Sequence, residues 1–266
     1  MTVLAFRHLV RGSQELILFF ILITMHSCSA LVTGVQEIAN AMISVDTQSA
    51  TIVGFGSLLS EKSARSTFPE LSNFRFARAH GYRRVFRHPG APIFFTNGIA
   101  KLDTLEIASL STEPAPECSF VCSVFEIEGR ESIEAFVTRE AEYDFVKVQL
   151  SSLNGSPMLD EGFMCTASTD SKVLEKYGQE VFNEMFTKWG LPTVWGWGPD
   201  SGILPCPVYL RHCVLAVKKQ SQEILDNFLD ETYLADRITT IRQYLDQNPH
   251  IMECIPPESL KFRYNG

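Results

Sequence analysis

Ala50-Thr-Ile-Val53 runs directly into Gly54-Phe55-Gly56-Ser57-Leu58-Leu59, and Ser60-Glu61-Lys62 follows at once. The β-branched run predicts a strand. Two glycines then let the backbone turn sharply and approach a neighbour closely. Ser60 is an N-cap residue for a helix through Glu61, Lys62, Ala64 and Arg65, which Pro69 closes. A strand ending in such a turn leaves N–H groups free to hold an anion or a developing oxyanion. The same glycines also suit a turn that only packs. A dinucleotide fingerprint is excluded, because Leu59 stands where its third glycine belongs. Ser57 is no nucleophile elbow, since Phe55 and Leu59 replace the flanking glycines.

Downstream, Gly81 and Pro89 bracket a strand over 82–87. Further strands are predicted at 93–95, 98–102, 105–110, 119–127, 143–148 and 163–167, with a turn at Asn154-Gly155 and a helix over 131–140. The second half changes texture. Val173, Leu174, Tyr177, Val181, Phe182 and Met185 recur at helical spacing, and Gly190 lies beyond the end of that helix. Trp195-Gly-Trp197-Gly-Pro199 reads as a rigid loop, 207–217 as a strand, and 222–233 and 236–245 as helices. Short strands followed by helices predict the α+β class.

In the helix over 131–140, Ile133, Phe136 and Val137 form one apolar stripe. Glu140 is the next position along it, whereas Glu134 and Glu142 fall on other faces. A carboxylate on a buried face is costly unless it is paired or used. Desolvation raises a carboxylate's proton affinity, which suits a general acid or base near neutral pH. The alternative is a structural ion pair with Arg139, Arg83 or Arg84. His80, His88, His212 and His250 are isolated in the sequence, without ligand spacing, so no metal site is expected. Trp189, Trp195 and Trp197, with Pro192 and Pro199, line either a pocket or the core.

With 45% hydrophobic and 20% charged residues, the 266-residue chain has an ordinary globular composition. Its 23 basic and 31 acidic residues give a formal charge of −8 and form no basic run, which argues against a nucleic-acid partner. The N-terminus differs. Arg7 and Arg11 precede the apolar stretch Leu16 to Met25, and Cys28-Ser29-Ala30 supplies small residues for cleavage. This layout predicts a signal peptide over 1–30 and delivery to the secretory pathway, with a two-step plastid route as the alternative. The stretch is too short to span a bilayer comfortably, so no stable membrane span is expected in the mature chain. Cys118, Cys122, Cys165, Cys206, Cys213 and Cys254 would remain, as buried thiols or as disulfides.

Val53-Gly-Phe-Gly-Ser-Leu-Leu59, then Gly81-Tyr-Arg-Arg-Val-Phe86, then Arg139-Glu140 followed by Tyr143, resemble in this order the γ-glutamylcyclotransferase superfamily. The ChaC-like branch is the most similar. The resemblance covers about residues 50–167 and implies a small mixed β-barrel with flanking helices, 50–167. Residues 31–49 would be a linker and 168–266 a mainly helical extension packed on the barrel. It further implies a lyase chemistry without a cofactor, in which the α-amino group of a γ-glutamyl substrate attacks its own γ-carbonyl. The products are 5-oxoproline and an amine or amino acid. The matching glutamate is Glu140, the proton carrier, and Phe55, Gly56, Ser57 and Leu58 match the substrate-holding loop. Three departures stand out: Phe55 replaces the usual loop tyrosine, Ala141-Glu142-Tyr143 lacks the usual glycine, and the region from about Lys172 has no clear counterpart. A catalytically silent binding module of the same fold is the other reading.

Overall fold

The computed structural model describes residues 29–43, 48–140 and 142–266. The expected targeting segment, 1–30, lies outside them but for its last two residues. Helix α1, Ser29–Met42, occupies most of the stretch expected to be a linker. The correction has a plain cause: Val35, Ile38, Ala39 and Met42 recur at helical spacing, and all four pack into a cluster with Ile133 and Phe136.

β1, Ser49–Gly54, leads through a tight turn to α2, Glu61–Thr67, whose cap Ser60 accepts from the Ser63 N–H. Two long strands follow, β2 Ser72–Pro89 and β3 Glu106–Glu128. Then come α3 Arg130–Arg139, β4 Asp144–Ser151 and β5 Pro157–Thr166. The pairings β3–β1–β5–β4–β2–β3 close on themselves, so five strands form a barrel. All contacts in the ring are antiparallel except β1 with β5, where Ile52 faces Phe163. The expected small mixed barrel is therefore present, with five strands in its ring.

β2 and β3 each do two jobs. Their register shifts between His80 and Tyr82, where Gly81 takes φ +81, a conformation that favours glycine. On one side of this bend, Arg78 and Ala79 pair with β4 and complete the barrel. On the other, Tyr82 to Pro89 and Ala108 to Pro114 run on as a two-stranded arm. The two-residue strands β6, Leu204–Pro205, and β7, Thr232–Tyr233, flank this arm. Helices α4 Asp170–Met185, α5 Pro207–Lys218, α6 Gln222–Asp230 and α7 Ile241–Gln247 pack against it.

Among the described residues, three large apolar layers and one smaller cluster around Phe94 and Leu260 result. Val53, Ala77, Phe120, Val124, Val148 and Met164, drawn from all five ring strands, fill the barrel. Ile52, Phe125, Ile133 and Phe136 bind α1 to α3 on its outside. Phe86, Leu110, Phe182, Leu210 and Phe228 join the arm to the later helices. Arg84 crosses this third layer fully buried, donating to Asn227 and the Val121 carbonyl between the rings of Phe120 and Phe228. Burial lowers its pKa to about 9.

Several segments differ from the sequence reading. Ile93–Thr96 is a helical turn, and 98–102 holds only an isolated bridge at Lys101. Residues 207–217 are helical, because Pro207 sits at the first helical position and Leu210, Cys213, Val214 and Val217 form a helical stripe. The strands read at 105–110 and 119–127 are one, which continues through Pro114 and Pro116. All six cysteines in the described residues are free thiols, with Cys122, Cys165, Cys206 and Cys213 buried. No described helix is long and apolar enough to cross a membrane.

Candidate active site

β1 ends at Gly54, where a Cβ would lie 2.5 Å from Ser123 Oγ and 2.6 Å from Leu58 Cβ. Only glycine lets the turn fold back this closely. Ser123 Oγ then donates to the Leu58 carbonyl at 2.8 Å and fixes the turn to β3. Inside it, the Leu59 and Ser60 N–H groups bond to the carbonyls of Gly56 and Ser57. Among the described residues the N–H groups of Gly56 and Leu58 have no hydrogen-bond partner. Tyr209, from α5, brings its hydroxyl beside Gly56.

Helix α3 stops at Arg139, one residue before Glu140. The Glu140 N–H still bonds to Phe136, and the Tyr143 N–H bonds back to the Glu140 carbonyl at 2.9 Å. This reversal turns Glu140, Glu142 and Tyr143 towards the same side. The Glu140 side chain is 21% exposed, and both Nε (2.7 Å) and a terminal nitrogen of Arg139 donate to its Oε1. Its Oε2 takes no part in that pair. Of the three arginines considered as partners, Arg139 is the one found there. Arg83 instead joins Arg87 and Arg237 on Glu113, and Arg84 is held by Asn227.

A cleft of about 210 Å³ lies where the turn, the end of α3 and the arm meet. Phe55, Gly56, Ser57, Leu58 and Glu140 all line it. So do His88, Glu142, Tyr143 and His212, which the sequence reading gave no role in the site, and Ser109, Tyr209, Arg263 and Tyr264, which it did not single out. Glu142 escaped because a helical-face argument does not apply beyond Arg139. His88 left a faint signal, a polar residue two positions after Phe86 on the apolar side of a strand. Tyr209, His212 and Tyr264 come from far along the chain and left none.

The phenols of Tyr143 and Tyr209 are pushed well above their ordinary pKa by burial, and Tyr143 further by the Glu140 carboxylate. They remain protonated and can act as hydrogen-bond donors. His212 is lowered to about 4 by burial and by the nearby Arg263, and its Nδ1 accepts from the Gly266 N–H at 3.0 Å. It is a neutral wall, not a base. Arg263 is exposed at the rim, beside the Tyr264 ring. The Trp195 loop packs behind the lining residues His88 and Tyr143. Trp195 packs on His88 and Tyr143, and its Nε1 donates to the Glu142 carbonyl at 2.9 Å. Asp170 holds that loop by accepting from the N–H groups of Val194 and Trp195.

The sequence matches no protein-family profile and no curated protein. Among solved structures, the chain is similar to an uncharacterized protein from Homo sapiens, 14% identical over 46% of this chain and 68% of that one, with a TM-score of 0.36. A structure named gamma-glutamyl cyclotransferase is 12% identical over 45% of this chain and 67% of that one, with a TM-score of 0.36. A protein from Arabidopsis thaliana, solved in solution, is 14% identical over 52% and 87%, with a TM-score of 0.34. These likenesses reach about half of the chain, and none carries a function over to it.

Proposed function

We propose that the chain is a γ-glutamylcyclotransferase-type enzyme, converting a γ-glutamyl substrate to 5-oxoproline with release of an amine or amino acid. The observation that supports this reading is the meeting of two chemically distinct parts in one cleft. The Phe55–Leu58 turn offers free N–H donors, and Glu140 offers a carboxylate oxygen. In such a reaction nucleophile and electrophile belong to one molecule, so the protein has only to fold the substrate and move protons. The Gly56 and Leu58 N–H groups, with the Tyr209 hydroxyl beside them, would hold the γ-carbonyl as charge develops on its oxygen. Glu140 Oε2 would accept the proton that turns the α-ammonium into an attacking amine. Arg139 fixes the orientation of that carboxylate. No step calls on a cofactor.

The deciding experiment incubates the purified chain with glutathione, γ-glutamyl-alanine and a γ-glutamylamine and measures 5-oxoproline. Turnover of any one supports the enzyme and names its substrate; none from all three leaves a binding module of the same fold. We also propose that residues 1–30 direct the protein into the secretory pathway. N-terminal peptides recovered from the native cell should begin near Leu31, and mature peptides from residues 1–25 would contradict this.

A further inference from the structure

The cleft contains a second carboxylate, and its surroundings are built from three distant parts of the chain. Glu142 Oε2 lies 2.8 Å from Nε2 of His88, a residue on the arm of β2 that is 4% exposed. The imidazole is held between the rings of Tyr143 and Trp195, each at 4.7 Å, and Trp195 also bonds to the Glu142 backbone. Its Nδ1 lies 3.0 Å from Ser109 Oγ, and the Ser109 hydroxyl donates to the His88 carbonyl at 3.0 Å. A buried imidazole, clamped on both faces and anchored at Nδ1, thus has its other nitrogen in contact with a carboxylate, and each of the two groups can take or give a proton. Nε2 is sealed from solvent and out of line for a hydrogen bond, whereas the Glu142 side chain is 14% exposed and lines the cleft.

We propose that His88 and Glu142 form a second proton-transfer pair, which delivers a proton through Glu142 to the departing amine; this rests on the cyclisation reading above. Arg139 occupies Oε1 of Glu140, which leaves one oxygen for the attacking nitrogen. The departing nitrogen lies on the other side of the carbonyl carbon and needs its own donor. The protons balance. Ring closure takes two from the α-nitrogen, and the departing nitrogen gains two on becoming an ammonium. Glu140 takes the first, and the new C–N bond forms. The old C–N bond then breaks, its electron pair leaves with the amine, and that nitrogen takes the proton of the pair. The second proton shed by the ring nitrogen returns to the pair, and the one on Glu140 passes to the released amine.

The test uses the full chain, as wild type, Glu140→Gln, Glu142→Gln and His88→Gln, on two substrates. γ-Glutamyl-alanine has a poor leaving group that needs a proton; γ-glutamyl-p-nitroanilide has one that departs with little help. Glu142→Gln and His88→Gln should lower kcat/KM on the alanine substrate about 100-fold, the usual worth of one general acid, and on the anilide by less than about 10-fold. Glu140→Gln should lower both alike. The ratio of the two substrates within one preparation does not depend on the folded fraction. Should neither variant fold, a wild-type solvent isotope effect larger on the alanine substrate than on the anilide supports the pair, and equal effects overturn it. Equal losses on both substrates in an active background remove the pair and leave the cyclisation standing. A wild type that turns over neither substrate removes both.

Discussion

Replacing Glu140 by Gln keeps the shape and the bond to Arg139 but removes the proton acceptor. We expect 5-oxoproline formation to fall by about two to four orders of magnitude. The melting temperature should move little, because the lost ion pair is partly exposed and such pairs contribute about 0–1 kcal/mol. A variant that melts early yet still turns over would make Glu140 structural. Glu142, set apart by periodicity, is no inert control, since the chain leaves the helix at Arg139 and returns it to the cleft. His212 makes a different prediction. Its folded pKa of about 4 lies below the ordinary 6.5, so between these values the unfolded chain binds a proton that the native one refuses. Stability should therefore fall as pH drops from 6.5 towards 4, by about 3 kcal/mol for this residue alone. His212→Asn keeps an acceptor for Gly266 and should flatten the pH dependence of stability by that amount. The loop residues and Glu140 were readable because turn chemistry and a polar break in an apolar stripe are local signals. Tyr209 and Arg263 reach the cleft through tertiary packing, which no local pattern records.

At the scale of elements, the turn after β1 depends on the absence of one methyl group. Gly54→Ala drives a Cβ into Ser123 and Leu58, so either the turn or β3 must shift. Overpacking of this kind costs about 1–3 kcal/mol. The urea midpoint should fall accordingly, and KM should rise as the N–H donors move. Elements with strong local signals stand where the sequence puts them, including β1, α2, α3, α4 and α6. The misreadings share a cause. The run Ile93-Phe-Phe-Thr96 is too short for periodicity to separate helix from strand. In 207–217 the β-branched Val208, Val214 and Val217 masked a helical stripe. β3 runs on through Pro114 and Pro116 at the bend opposite Gly81, and prolines are rare inside a strand except at such irregularities.

For the whole molecule, the barrel and the later helices share a cleft and a core layer. Residues 50–167 expressed alone would lose Asn227 from Arg84 and strip the arm of its apolar cover, exposing Phe86, Ile107 and Leu110. Each such side chain contributes about 1.5–3 kcal/mol when fully buried, together a large share of a domain's total stability. We expect that fragment to show no cooperative urea transition by circular dichroism, while the full chain shows one. The thiols offer a finer view of the same unity. Burial pushes Cys122, Cys206 and Cys213 up to about 12 and raises Cys165 as well, so none reacts until its surroundings open. Cys118 and Cys254 are partly exposed and react first, which sets the zero of time. The chain thus carries four internal clocks, two in barrel strands and two in the helical half. Read by mass after a pulse of alkylating reagent, clocks that keep one time mean that the halves open together, and clocks that drift apart date the moment when one lets go of the other.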